Sequence, residues 1–288
     1  MTQLFEKMTI VGVGLIGGSM ARKAREEGLV KEIVGFGRTK KNLDSAVSLG
    51  VIDSYESVLL DAVQGSDLVV IATPVEKSID IISTLLSKLD SQTIITDVGS
   101  VKAKVVDVFK ESVNANAEFI GGHPIAGTES SGVEASYASL FENHVTILTP
   151  IEKNSKIAIE RLKNFWIGLG SRVELLDPEK HDRILSDISH LPHVVAYALV
   201  NAVLEGNGIS YAAGGFKDFT RIASSNPEMW SEICIQNKEA ILDSIKTFRD
   251  NLNSISDLIE NSDENSLYEM FRSAKNGRDS WLNAKEEK

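Results

Sequence analysis

The sequence predicts an α/β half followed by an all-helical half. Three observations carry this. Short β-branched runs alternate with helical patterns as far as Leu176, a glycine-rich loop joins the first run to the first helical stretch, and no convincing strand follows Asp177-Pro178. Alternating β and α elements with short connections imply a mostly parallel sheet covered by helices on both faces.

In chain order, Thr9–Val13 reads as a strand and Gly17–Glu27 as a helix. Ile33–Phe36 is a strand and Lys41–Leu49 helical; Leu68–Ala72 is a strand and Val75–Leu89 helical; Ile94–Asp97 is a strand and Val101–Val113 helical. Glu118–Gly121 and Val145–Leu148 add strands, Ile157–Leu169 a helix and Ser171–Leu176 a last strand. Beyond Pro178, Asp182–Leu204 is helical with a kink expected at Pro192, which lacks the N–H a helix interior needs. Gly206-Asn207-Gly208 is its stop, both residue types tolerating the left-handed conformation of a helix end. A Gly-rich link, Ala212–Gly215, leads to Phe216–Ala223. Asn226-Pro227-Glu228 is a helix start, with a capping side chain, Pro at the first position and an acid in the first turn. Ile241, Ile245, Phe248, Leu252, Ile255 and Ile259 recur at steps of four and three, a coiled-coil-like period. A helix of ~34 residues from Pro227 would be ~50 Å long. Its stripe suits a helical bundle within the chain or, the reading favoured here, a homodimer seam. The expected domains are residues 1–176 and 177–288.

The 288 residues carry 30 Lys+Arg against 41 Asp+Glu, a formal charge of −11. That balance argues against nucleic acid or an anionic membrane as partner, though a local basic pocket can still take a small anion. At 42% hydrophobic and 25% charged the chain is too apolar for disorder. The one cysteine, Cys234, excludes an intrachain disulfide and a Cys-rich zinc site, so a reducing, cytoplasmic setting is expected. No apolar run approaches the ~20 residues of a membrane-spanning helix.

The loop Gly12-Val13-Gly14-Leu15-Ile16-Gly17-Gly18 follows a strand and opens a helix, which gives the weak G-x-G-x-x-G pattern its confirming context. Gly12 allows the tight turn, Gly14 lets the backbone approach a pyrophosphate, and Gly17 lets helix and strand pack closely. With Leu15 and Ile16 these open a helix N-terminus that favours phosphate. The first half is thus expected to be a Rossmann-type domain binding NAD or NADP. A carboxylate for the ribose hydroxyls is expected about 20 residues on. Gly37 and Arg38 stand there instead, and Arg38 can pair with a 2′-phosphate, which leans towards NADP. Ala72-Thr73-Pro74 and Asp97-Val98-Gly99-Ser100 end two further strands at the same crevice. Ser100 can cap the next helix, a role compatible with a hydrogen bond to substrate.

Five histidines occur, His123, His144, His181, His190 and His193. His123, between Gly121-Gly122 and Pro124 just after a strand, is rigidly aimed; a neutral imidazole there suits taking a proton from a hydroxyl while hydride leaves the same carbon. His181 reads as a helix-start residue, and His144 precedes a strand.

The run His123-Pro124-Ile125-Ala126-Gly127-Thr128-Glu129 resembles the prephenate dehydrogenase family. So do His190-Leu191-Pro192-His193, the stretch from Gly214 to Arg221, and Asn226-Pro227-Glu228-Met229-Trp230. The likeness covers nearly the whole chain. It implies NAD(P)-dependent oxidative decarboxylation of prephenate to 4-hydroxyphenylpyruvate and CO₂, with arogenate, which carries an amino group on the side chain, as the alternative substrate. It implies that His123 is the base at the C4 hydroxyl with Ser100 assisting, that Arg221 binds a carboxylate, and that His193 stands in the second-domain part of the site, with His190 close by. Thr128, Glu129, Lys217, Asp218 and Trp230 fall on family positions around the pocket. The family often has an acid after the second strand, and Gly37-Arg38 departs from that. From the length, neither the mutase nor the regulatory domain that some relatives carry is expected. A β-hydroxyacid dehydrogenase would use a lysine as acid/base, and a non-enzymatic NADP sensor would not need His123 and Arg221 together.

Overall fold

The computed structural model describes residues 2–128, 130–206 and 208–286. The first part runs β1 (Phe5–Val11), α1 (Leu15–Glu26), β2 (Val30–Phe36), α2 (Lys40–Ser48), β3 (Ser54–Glu56), α3 (Leu59–Val63), β4 (Leu68–Ile71), α4 (Val75–Leu86), β5 (Ile94–Asp97), α5 (Ala103–Glu111), β6 (Glu118–Pro124), β7 (Val145–Thr149), α6 (Lys156–Gly168) and β8 (Arg172–Leu175). The eight strands form one sheet in the order β3-β2-β1-β4-β5-β6-β7-β8, parallel throughout except between β6 and β7. The chain reverses direction across the sheet between β1 and β4, the topological switch point where such sheets bind ligands.

Along β4, Leu68 and Val70 join one apolar cluster with Met8, Ile10, Phe165 and Trp166. Val69 and Ile71 join the other, with Ile95, Val105 and Phe109. Alternate residues thus feed two cores, one on each face, so the strand reads as an unbroken apolar run. The short β3 and α3 go unseen in the sequence because three and five residues, mostly at the surface, show no period. β6 runs to Pro124, three residues past the expected end, and places His123 inside the sheet opposite Ile147 rather than in a loop.

After β8 come α7 (Pro178–Leu185), a π-turn over Ser186–His190, α8 (Leu191–Glu205), α9 (Gly214–Thr220), α10 (Pro227–Gln236), α11 (Lys238–Glu260) and α12 (Glu264–Glu286). The expected Asp182–Leu204 helix is therefore two helices. Asp177 caps α7 by accepting from Lys180 N, and the backbone widens into the π-turn just before Pro192, which offers no N–H to the carbonyl four residues back. Gly206 ends α8 at φ −82° rather than in the left-handed region, and Asn207 lies outside the described residues. Asn226 caps α10 as expected, Oδ1 accepting from Met229 N at 3.0 Å. The ~34-residue helix is broken at Asn237, whose side chain is held elsewhere (below).

By compactness the chain forms two units, Met1–Lys238 and Glu239–Lys288. This division differs from the 176/177 boundary because α10 packs on the sheet layer. Trp230 and Ile233 enter the cluster of Val75 and Ile82, and Glu232 accepts from Glu76 N. The second unit is α11 and α12, which leave Leu252, Ile259, Tyr268, Phe271 and Trp281 exposed. No helix among the described residues is long and apolar enough to cross a membrane.

Candidate active site

At the carboxyl end of β1, Gly12 has φ 100°, and a Cβ there would collide with the carbonyl oxygen of Ala72. A Cβ at Gly17 would lie 2.6 Å from the Gly12 carbonyl oxygen, so helix and strand approach as closely as glycine permits. Gly14 faces open space and begins α1 with no side-chain cap; Leu15 and Ile16 follow, and the first turn holds no acid. Amides and dipole at this end are therefore offered to an anion. Thr73, with Cγ2 3.2 Å from a Cβ built on Gly12, and Pro74, the N-cap of α4, border the loop. Gly12 N donates to Phe36 O at 2.8 Å, so β2 ends beside the loop, and the exposed Arg38 follows two residues later. These residues fit the pyrophosphate and ribose of a dinucleotide, a cradle that side chains would fill.

On the next strands a buried polar cluster forms. Asp97, at the end of β5, accepts from Gly99 N at 2.9 Å, Gly122 N at 3.1 Å and the Lys102 ammonium, with both charged side chains fully buried. Gly122 immediately precedes His123, so Asp97 pins the backbone that carries this histidine. His123 Nδ1 lies 2.9 Å from His181 Nε2, and His181 Nδ1 lies 2.8 Å from Asp182 Oδ1. Asp182 also accepts from Lys102 N at 2.7 Å and Ala103 N at 2.9 Å, capping α5 from α7. Ser100 does not cap α5, whose N-cap is Lys102; it is half-buried, and its hydroxyl makes no hydrogen bond to the described residues.

Asn237 Nδ2 donates to the Asp182 carbonyl at 2.8 Å and lies 3.1 Å from His190 Nδ1. Because the carbonyl can only accept, the amide nitrogen is placed unambiguously, and His190 is an acceptor at Nδ1 and a donor at Nε2. Holding both partners takes Asn237 out of the helix. His190 Nε2 and Trp230 Nε1 are buried donors without a partner among the described residues. His193 donates Nδ1–H to Ser189 O at 2.8 Å, which leaves Nε2 as an acceptor, and its ring stacks on Trp230 at 3.5 Å and 19°.

Burial, then the charges of His181, Lys102 and His190, hold His123 well below the usual histidine range. His181 is lowered by burial against the opposing pull of Asp182. Burial brings His190 to about 4, and His193 is lowered by burial and by the charge of Arg221, partly offset by Ser189. The cluster is thus a set of neutral imidazoles in fixed tautomers. It can accept a proton or hydrogen bond beside the crevice at the strand ends.

His123, His181, His190, His193 and Trp230 are brought together; Thr128, Lys217 and Asp218 are exposed and make no hydrogen bond or ion pair to these histidines. Arg221 is exposed just after α9, and its charge reaches His193. Glu129 lies outside the described residues. His144 is exposed and bonds Glu142 O. Lys102, Asp97, Asp182 and Asn237 went unnoticed as site residues, and His181 is no mere helix-start residue. Only the adjacency His181-Asp182, beside an acid ending a strand, hinted at them.

Two family models match: the prephenate dehydrogenase nucleotide-binding domain over residues 20–175 and the prephenate dehydrogenase dimerization domain over residues 177–273. The chain is 39% identical over 285 residues to prephenate dehydrogenase of Bacillus subtilis, covering 97% of this chain and 77% of that protein. It is 33% identical over 281 residues to cyclohexadienyl dehydrogenase of Zymomonas mobilis, covering 96% of both. The crystal structure of Aquifex aeolicus prephenate dehydrogenase with hydroxyphenyl propionate and NAD+ superposes with a TM-score of 0.89 at 38% identity, covering 96% of this chain and 98% of that one. With its glycine cradle, its buried histidines and these matches along almost its full length, the chain belongs to the prephenate dehydrogenase family.

Proposed function

We propose that this oxidoreductase converts prephenate and NAD(P)+ to 4-hydroxyphenylpyruvate, CO₂ and NAD(P)H. The observation that carries the reading is His123, buried and neutral at the carboxyl edge of the same sheet whose first strand ends in the dinucleotide cradle. The bound cofactor supplies a hydride acceptor. At the substrate, the C4–H bond breaks with its electron pair leaving as hydride, and the C1–carboxylate bond breaks with its pair entering the ring as CO₂ departs. The ring becomes aromatic, which drives the reaction. The C4 hydroxyl proton is shared with His123 and returns to the phenol oxygen, so no net proton is consumed.

His123 accepts this hydrogen bond, with Ser100 assisting. Arg221 binds a substrate carboxylate as a bidentate fork, His193 and Trp230 form a wall, and Thr128 and Lys217 border the pocket. Arg38, with no acid beside it, pairs with a 2′-phosphate, favouring NADP. In this reading residues 1–176 hold cofactor and base, while 177–288 complete the pocket and join two chains. α8 is apolar almost all round, yet only Ala196 of its fifteen residues is buried, which supports a homodimer. The single thiol and acidic surface support a cytoplasmic enzyme that binds neither nucleic acid nor membrane.

The likeness to Synechocystis arogenate dehydrogenase, at 29% identity and a TM-score of 0.81, favours a second reading in which arogenate is also accepted. An assay crossing prephenate and arogenate with NAD and NADP tests both. Turnover of prephenate with higher catalytic efficiency for NADP is expected; no turnover of either substrate overturns the assignment, and equal or better use of NAD overturns the role of Arg38.

A further inference from the structure

We infer that His181 and Asp182 are positioning residues that lock His123 in the Nδ1–H tautomer, so that Nε2 is the nitrogen left to accept from the substrate. The inference rests on the proposed function for its consequence, but its geometry stands alone.

A hydrogen bond between two imidazoles needs one donor and one acceptor, and which ring takes which role is set by what each ring's other nitrogen does. Asp182 decides it. Its carboxylate can only accept, so His181 Nδ1, 2.8 Å away, carries a hydrogen. His181 is fully buried and neutral, so its Nε2 holds a lone pair. His123 Nδ1, 2.9 Å from that nitrogen, must then be the N–H. Nε2 of His123 is left basic, and the described residues offer it no hydrogen bond. In the opposite tautomer His123 would present an N–H to the substrate hydroxyl and take no proton from it.

The chain of bonds is anchored at both ends. Asp182 is held by Lys102 N, Ala103 N and, through its own carbonyl, Asn237. The backbone beside His123 is held by Asp97 through Gly122 N. The base stands on β6 while its orienting pair stands on α7, so the tautomer is set by an element 58 residues away in the chain.

The test is a ¹H–¹⁵N correlation spectrum of the imidazole nitrogens in the full chain labelled with ¹⁵N-histidine. The five histidines are assigned by single substitution. His123 should show a protonated Nδ1 and an unprotonated Nε2. In His181→Met the signal should shift towards a mixture containing Nε2–H. kcat should fall ~10²–10⁴-fold, the size of a wrong-tautomer defect, with KM for the substrate changed less than about twofold. His181→Gln, whose amide can donate to Asp182 and accept from His123, should restore the Nδ1–H tautomer and most of kcat. An Nε2–H tautomer in the unsubstituted protein overturns the inference, whether or not the variants fold; so does an unchanged tautomer in a folded His181→Met. If the tautomer is as stated but neither prephenate nor arogenate is turned over, the functional reading fails and the positioning role stands.

Discussion

Lys102 and Asp97 form an ion pair in which neither side chain reaches solvent, and Asp97 also accepts from the backbone amide of Gly122, the residue before the histidine that carries the proposed chemistry. The carboxylate is further satisfied by two backbone amides, while burial, outweighing the pull of Asp97, still holds the Lys102 ammonium below the usual lysine range. Removing one partner leaves the other charge buried alone. Lys102→Met should therefore cost about 3–5 kcal/mol of stability, and Lys102→Met with Asp97→Asn should recover part of that. Urea unfolding of the two single variants and the double variant reads this out. A loss in the double variant equal to the sum of the two single losses would show that the pair is not coupled.

The electrostatics of His123 set where activity ends on the acid side. The sequence alone suggests a fall near pH ~6.5, the ordinary value for histidine. Burial and the neighbouring charges place this ring well below that, so the basic form persists at lower pH. We expect kcat/KM to stay level as pH falls through 6.5 and to decline only further down, with His123→Asn reduced ~10²–10⁴-fold at every pH. A pH–rate profile with its acid limb centred at 6.5 would contradict the environment described here, and near-normal turnover of the variant would remove His123 from the chemistry.

The same burial makes the fold acid-sensitive. His190 titrates at 6.5 when unfolded and at about 4 in the folded chain. Between those values the unfolded chain binds a proton that the folded chain refuses. Stability is thus full above pH 6.5 and is lost as pH falls towards 4, by ~3 kcal/mol from this residue. Denaturant unfolding at several pH values should show this slope, and His190→Asn should flatten it. A stability constant from pH 7 to 4 would count against a buried neutral His190.

Arg221 is exposed and close enough for its charge to act on His193, which suits a group that meets an anionic substrate at the pocket mouth. Arg221→Ala should chiefly raise the KM for substrate, by a factor worth ~1.5–3 kcal/mol. Steady-state kinetics at saturating cofactor decides it; an unchanged KM assigns the substrate carboxylate to another residue.

Much was legible in the sequence because it is local. The glycine loop, the strand–helix alternation, the Asn226 cap and the switch to helices after Pro178 each follow from backbone sterics and short-range periodicity, which neighbouring residues determine by themselves. So was His123, framed by its own flanking glycines and proline. What only the tertiary structure decided lies in contacts between distant segments. His181 orients His123 across 58 residues, Asp182 caps a helix 79 residues earlier, and Asn237 breaks the long helix to hold both Asp182 and His190. Those roles depend on burial and on which polar atom finds which partner, and a buried group's tautomer and charge are set by its surroundings rather than by its neighbours in the chain.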